Sequence, residues 1–198
     1  MRKVRDYYFK KAKKDKYPAR SVFKLEEVQK KYRLFRRGDA VLDLGCHPGS
    51  WSLYASGVVG TKGLVVGVDL QETNQEPRDG GSPIHWICGD ITNPELVGQV
   101  KALRPAFKAV ISDIAPKTTG NRWADHQSSM RLVRQTLELA HIFLHEKGHY
   151  LCKIFQGEDM PEFVSQLKEH FAFVKVIKPQ SSRKESREDF LIGMDYRG

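Results

Sequence analysis

Apolar residues recur along this chain with two different spacings, and the change between them falls at Gly38. Before it, Val22, Leu25, Val28 and Tyr32 stand three or four residues apart, which places them on one face of a helix predicted over residues 21–32. After it, short apolar runs alternate with helical patterns. Residues 40–44, 64–68, 84–87, 109–112 and 149–154 read as buried strands. Between the last two, Met130, Val133, Leu137 and Ala140 share a helical face within residues 128–144, a pattern that stops before Lys147-Gly148. A helix around 163–167 and strands around 173–177 and 190–194 follow.

Strand–helix alternation predicts an α/β fold whose mainly parallel sheet is covered by helices on both faces. Ligands of such sheets sit outside the carboxyl ends of the strands. At those ends stand Asp43-Leu-Gly45-Cys-His-Pro48-Gly49-Ser-Trp51, then Asp69, Asp90 and Asp113. A glycine-rich loop leaving the first strand lets backbone approach a ligand closely, and Pro48 favours a helix just beyond it. Asp69, at the end of the second strand, is placed to bind the ribose hydroxyls of an adenosine. These features alone admit either S-adenosylmethionine or a nicotinamide dinucleotide. Charge favours the first, because a pyrophosphate needs free N–H donors and no nearby anion. The loop is not G-x-G-x-x-G, and Asp43 is expected at its entrance, where a carboxylate tolerates an ammonium and a sulfonium.

Composition narrows the setting. At 198 residues with 40% hydrophobic content, one domain buries about 70% of its unfolded surface without needing disulfides or metals. The three cysteines, Cys46, Cys88 and Cys152, form no zinc-like spacing, so no metal and a reduced cytoplasmic setting are expected. The first residues are charged and lack an apolar signal core, and no run suits a membrane span. Charge is unevenly placed: residues 1–37 hold 15 Lys and Arg against 4 Asp and Glu, a net +11, while the remainder is −2. Tyr7, Tyr8, Phe9 and Tyr17 are interleaved with these cations, a composition that suits phosphates and stacked bases. A solubilising tail is the alternative. The expected division is a basic, RNA-docking N-terminal extension with its helix over 1–37 and a catalytic unit over 38–198, forming one compact domain overall.

From about Tyr17 onward the chain resembles the FtsJ/RrmJ family of ribosomal-RNA ribose methyltransferases. The matching stretches are Ala19-Arg-Ser-Val-Phe-Lys24-Leu, the Asp43–Trp51 loop, Ser112-Asp113-Ile-Ala-Pro116, Lys153-Ile-Phe-Gln-Gly157 and Ser181-Ser-Arg-Lys-Glu-Ser-Arg-Glu188. The resemblance implies a Rossmann-like class I S-adenosylmethionine-dependent methyltransferase fold with a final antiparallel strand. It implies a catalytic tetrad of Lys24, Asp113, Lys153 and Glu188, and cofactor contacts at Gly49, Trp51, Asp69, Asp90 and Asp113, with Gly45 in the same loop. Cys46, His47, Ser50 and Lys117 depart from the family pattern but lie outside the tetrad, and His47 is expected to be a bystander of the loop.

The expected reaction is methyl transfer from S-adenosyl-L-methionine to the ribose 2′-hydroxyl of a uridine in large-subunit ribosomal RNA, by a monomer acting on the large-subunit particle. The resembled family's bacterial members modify large-subunit ribosomal RNA, while other relatives act on transfer RNA or messenger caps, and the same reaction on transfer RNA is the alternative. The end of the chain at Gly198, with no appended domain, favours the ribosomal substrate over transfer RNA. A small-molecule methyltransferase would not need the basic extension. A non-catalytic RNA-binding module of the same fold would normally lack part of the tetrad. Lys153 is the candidate base, but an ammonium cannot accept a proton. Either it is neutral when it acts, or the tetrad orients and polarises the hydroxyl.

Overall fold

The computed structural model describes residues 2–183 and 185–198, with side chains from residue 7 onward; Lys184 of the last matching stretch, and the Arg2, Lys3 and Arg5 side chains counted in the basic extension, lie outside the described residues. Seven strands form one sheet: β1 Ala40–Leu44, β2 Leu64–Asp69, β3 Ile84–Cys88, β4 Phe107–Ser112, β5 Leu144–Phe155, β6 Phe171–Ile177 and β7 Glu188–Tyr196. Their order is β3-β2-β1-β4-β5-β7-β6. Strands β1 to β5 pair in parallel, and β7 runs antiparallel to both β5 and β6. The expected α/β sheet with its antiparallel final strand is present.

Six helices accompany it: α1 Arg2–Lys14, α2 Val22–Tyr32, α3 Ser50–Val59, α4 Glu95–Leu103, α5 Arg122–Phe143 and α6 Met160–His170. Successive strand residues point to opposite faces, so each central strand feeds two cores. Leu42, Leu44, Val110 and Tyr150 pack with Val100, Met130 and Phe163 from α4, α5 and α6. Val41, Ile111, Leu151 and Phe190 pack on the other face with Leu25 and Val28 of α2 and Trp51 and Ala55 of α3. Burial on both faces explains why these strands read as continuous apolar runs. Among the described residues, no helix is long and apolar enough to cross a membrane.

Three elements differ from the sequence reading. Helix α5 begins six residues earlier than predicted, because Asn121 caps it: its side-chain oxygen accepts from the N–H groups of Trp123 and Ala124. That first turn and a half, Arg122–Gln127, carries no apolar period, since its apolar residues Trp123 and Ala124 are adjacent. Helix α4 was not anticipated, since it buries only Leu96 and Val100. The basic N-terminal stretch also divides. Helix α1 is a regular helix lying at the surface, docked through buried Ala12 and through Tyr8, whose ring centroid is 5.4 Å from that of Phe23. Helix α2 and the following Leu34 and Phe35 belong to the core.

This placement generates a stability test. Phe35 is fully buried, so Phe35→Ala should cost about 3–5 kcal/mol of unfolding free energy. Urea denaturation measures it. A loss under about 1 kcal/mol would mean that the segment after α2 is peripheral rather than core.

Candidate active site

The strand order reverses between β1 and β4, and the crevice at their carboxyl ends is where this topology places a ligand. The loop 45–49 leaves β1 there and enters α3. Gly45 has φ +77°, and a Cβ on it would stand 2.1 Å from the Ile114 side chain, so the loop after β1 lies directly against the loop after β4. The N–H groups of Gly45 and Cys46 donate to the Val68 carbonyl at 2.8 and 3.1 Å. Asp69 completes the tether, its Oδ2 accepting from the His47 N–H at 3.0 Å and its Oδ1 from the Gln71 N–H at 2.9 Å.

A hollow of about 480 Å³ opens at this crevice, with Gly45, Asp69, Asp90 and Asp113 in its lining. Its volume suits a nucleoside-sized ligand. Asp90 Oδ1 accepts from the Thr92 N–H and hydroxyl, both at 2.8 Å, which leaves Oδ2 available. Leu70 and Ile91 add apolar walls, a contribution that sequence reasoning missed. The signal was present, since an apolar residue directly follows each of the two strand-end acids.

Gly49 and Trp51, expected among the cofactor contacts, are not in that lining. Gly49 has φ +102° and faces Gln75, Thr73 and Trp86. The Trp51 ring is 3% exposed, lies 5.9 Å from that of Phe190 and donates from Nε1 to the Ser21 carbonyl at 3.0 Å. Its side chain therefore holds the start of α2. His47 lines the edge of the hollow, and its Nδ1 lies 3.3 Å from the Thr73 hydroxyl. The expectation for Asp43 is corrected too. It is enclosed rather than at a loop entrance, with the Ser52 hydroxyl donating to Oδ2 at 2.6 Å and a buried Oδ1 that has no hydrogen-bond partner. Burial pushes its carboxyl up to about 7. The Ser52 bond opposes that rise, and the charges of Asp113 and Asp69 add to it.

The four expected tetrad residues come together from four elements. Lys24 projects from α2, Asp113 follows β4, Lys153 lies on β5 and Glu188 begins β7. Because β7 runs antiparallel, its first residue pairs with Phe155 at the carboxyl edge of β5. Lys24 Nζ donates to Glu188 Oε2 at 2.9 Å and stands 4.0 Å from Asp113 Oδ1. Lys153 Nζ donates to the Asp113 main-chain carbonyl at 2.5 Å. It also lies 3.0 Å from Asp113 Oδ1, an ion pair whose angle falls short of a hydrogen bond. The Lys153 side chain is only 6% exposed, so its charge is met by a carboxylate rather than by water. For Glu188, burial alone would raise the carboxyl, but the ammonium groups of Lys24 and Lys153 outweigh it and hold the group below its ordinary value.

Two further residues support this edge without any mark in the sequence pattern. Asp125 is buried and accepts from the Thr119 N–H (2.7 Å), the Thr119 hydroxyl (2.9 Å) and the Gly120 N–H (3.3 Å), which fixes the loop leaving Asp113. His126 donates from Nδ1 to the Phe155 carbonyl at 3.0 Å, and its Nε2 lies 3.0 Å from the Asp159 carboxylate, steadying the chain after Lys153. Polar residues at a helix start give no periodic signal of burial.

A doubly covered, mainly parallel sheet with acids at its strand ends and a nucleoside-sized hollow at its switch point defines a Rossmann-like enzyme. Residues 17–196 match the FtsJ-like methyltransferase family model, and the chain belongs to that family. It is similar at 59% identity to a ribosomal RNA large subunit methyltransferase E of Desulfotalea psychrophila, over 100% of this chain and 98% of that one. A protein of the same description from Syntrophobacter fumaroxidans is 44% identical, over 98% and 97% of the two chains. A solved structure from Plasmodium falciparum, described as a ribosomal RNA methyltransferase, shares the fold with a TM-score of 0.79. It is 24% identical and covers 92% of this chain and 100% of its own.

The raised Asp43 carboxyl predicts a pH dependence in the protein without ligand. A folded-state value of about 7 against an ordinary 3.8 means that the Asp43 contribution to stability is fully present below 3.8 and is lost as pH rises through 7. Asp43→Asn keeps an acceptor for Ser52 and removes the charge, so its urea midpoint should fall less than the parent's between pH 4 and 8. Parallel pH profiles for the two proteins would show that Asp43 does not titrate in this range.

Proposed function

We propose that this protein transfers a methyl group from S-adenosylmethionine to the ribose 2′-hydroxyl of a uridine in large-subunit ribosomal RNA, acting in the cytoplasm on the large-subunit particle. The observation that carries this reading is the assembled Lys24–Asp113–Lys153–Glu188 network beside a hollow that shares Asp113 with it. Relatives named as ribosomal RNA large subunit methyltransferases, similar over essentially their whole length, support the substrate class.

The hollow fits the methyl donor by its chemistry. Its charged lining is Asp69, Asp90, Asp113 and Lys117, a set that repels a pyrophosphate and accepts a cation. Each Asp69 oxygen holds one backbone N–H, so both keep lone pairs for a pair of ribose hydroxyls. Asp90 Oδ2 is available to an amino group, and Leu70 and Ile91 flank a flat base. S-adenosylmethionine, when bound, supplies a methyl group on a sulfonium that leaves as a neutral thioether.

The chain's own residues prepare the acceptor. Lys153 Nζ donates one hydrogen bond to the Asp113 carbonyl and is paired with its carboxylate, which leaves Nζ a direction for the ribose hydroxyl. In its neutral form Lys153 takes the hydroxyl proton at Nζ, becoming the ammonium that Asp113 already accommodates. Lys24, held by Glu188, stands 4.0 Å from the same Asp113 oxygen that Lys153 faces, so a cation stays beside the acid as Lys153 changes charge. Holding the hydroxyl in line supplies much of the acceleration.

Helix α1 is the proposed RNA-docking surface. Lys10, Lys13 and Lys14 are exposed on it beside Tyr7 and Phe9. Lys11 is engaged within the protein, 3.6 Å from Glu26 and 4.3 Å from the centre of the Phe23 ring.

Two experiments test the reading. Lys153→Ala should lower single-turnover methyl transfer by at least about 100-fold while leaving cofactor affinity intact, as expected for loss of an acid–base group. Lys153→Arg should be equally impaired, because a guanidinium does not lose its proton. An active arginine variant would assign Lys153 to orientation alone, and an active alanine variant would remove it from the chemistry. For docking, replacing Lys10, Lys13 and Lys14 by alanine should weaken RNA binding and flatten log affinity against log salt by up to about 2, at about 0.7 per phosphate contact. A slope equal to the parent's would exclude α1 as the docking surface.

A further inference from the structure

Trp123 is 64% exposed, although it is the kind of side chain that a folded domain normally tucks away. The other two tryptophans are covered, Trp51 in the core and Trp86 partly, with its Nε1–H donating to the Gln75 carbonyl. Trp123 stands in the first turn of α5, and the backbone that presents it is fixed on both sides. Asn121 Oδ1 accepts from its N–H at 3.1 Å, and buried Asp125 gathers Thr119 and Gly120 just before it. A large apolar ring held outward on a clamped turn is built for a contact outside the monomer.

Its place identifies that contact. The loop from Asp113 to Asn121 runs from the tetrad, along the cofactor hollow through Lys117, to the turn that carries Trp123. From the other side, Arg187, the residue before Glu188, donates from Nη2 to the Arg122 carbonyl at 3.4 Å. The Trp123 turn is therefore within one arginine side chain of the segment that delivers Glu188. Between them lies a second hollow of about 200 Å³, whose lining includes Thr118, Phe155, Arg187 and Glu188. Lys117 and Arg122 are exposed and Arg187 is half-buried, so the segments on either side of Trp123 carry cations for a polyanion, alongside Asp125 and Glu185 in the lining of the second hollow.

We infer that Trp123 is a stacking platform for a nucleobase of the single-stranded RNA that enters the site, next to the nucleotide whose ribose reaches Lys153. This inference rests on the proposed methyl transfer to RNA and adds a binding residue that lies outside the lining of the cofactor hollow. Base–aromatic stacking tolerates any base and gains strength when cations hold the neighbouring phosphates. Lys117, Arg122 and Arg187 hold the backbone while the indole takes the base. The side chain touches neither the tetrad nor the cofactor hollow, so its contribution is to RNA affinity and not to the chemical step.

The test uses the full chain, a mixed-sequence single-stranded oligoribonucleotide and, for turnover, large-subunit ribosomal RNA. RNA should quench the parent's tryptophan fluorescence, and Trp123→Phe should lose most of that quenching while keeping affinity within a few-fold. Trp123→Ala should bind the oligonucleotide on the order of 10- to 100-fold more weakly, the range for one lost base–aromatic stack. It should raise KM for RNA with kcat and S-adenosylmethionine affinity little changed. An unchanged thermal unfolding midpoint shows that the variant is folded. Trp123→Ala with the parent's RNA affinity and KM overturns the inference and leaves a protein partner as the ring's contact. So does parent fluorescence that RNA leaves unaltered. A parent that binds RNA and fails to methylate it would instead overturn the proposed reaction, so the two failures are distinguishable.

Discussion

Two lysines are withdrawn from water at the carboxyl edge of this sheet, and each must be met by a carboxylate. That requirement ties together four elements which the chain order keeps far apart. Lys24 reaches Glu188 across 164 residues of sequence, and Lys153 reaches Asp113 across 40. Removing one partner of such a network typically costs about 3–5 kcal/mol, whereas replacing the whole set by apolar groups is often neutral or stabilising. A fold needing only stability has no use for four charges in this place. The proposed methyl transfer to a weakly acidic hydroxyl uses all four, which accounts for a network that stability alone does not require.

Asp113 joins that chemistry to the cofactor hollow. Its carboxylate and main-chain carbonyl face Lys153, while the residues after it line the hollow as far as Lys117. On the opposite wall the Gly45 loop lies against Ile114 so closely that a single added carbon would collide. The register pairing Leu44 with Ser112 puts both loops at the same height above the sheet. The placement of the hollow beside the tetrad is thus set by backbone packing between two neighbouring strands, which side-chain motion does not easily alter.

The segment before β1 plays two parts. The α2 end is pinned from several sides: the Ala19 N–H donates to the Ser50 hydroxyl, Trp51 donates to the Ser21 carbonyl, and the N–H groups of Gln180 and Ser181 donate to the Glu27 carboxylate. These bonds aim Lys24 into the network. Helix α1 is polar and touches the body through Ala12, Tyr8 and Lys11, and Tyr17 beyond its end lies under the Arg78 guanidinium, 3.8 Å from the ring centre. Among the described side chains of α1, Lys10, Lys13 and Lys14 are left to solvent, whereas the core helix that follows carries three lysines against two glutamates.

The sequence alone determined the central strands, the α/β class, the acids at the strand ends and, through ordered motifs, the four tetrad positions. These were legible because continuous apolar runs and period-3.6 burial are local properties, and because chemistry in a parallel sheet gathers at one predictable edge. Tertiary structure decided what each side chain faces. Trp51 was expected at the cofactor and turned to the Ser21 carbonyl; Asp43 was expected at the loop's entrance and was enclosed beside Ser52. Asp125 and His126 gave no signal, since their partners, Thr119 and the Phe155–Asp159 stretch, arrive from loops whose paths no periodicity records. Burial is written in the spacing of residues along the chain, but direction depends on a partner that a distant segment brings, and only the assembled fold brings it.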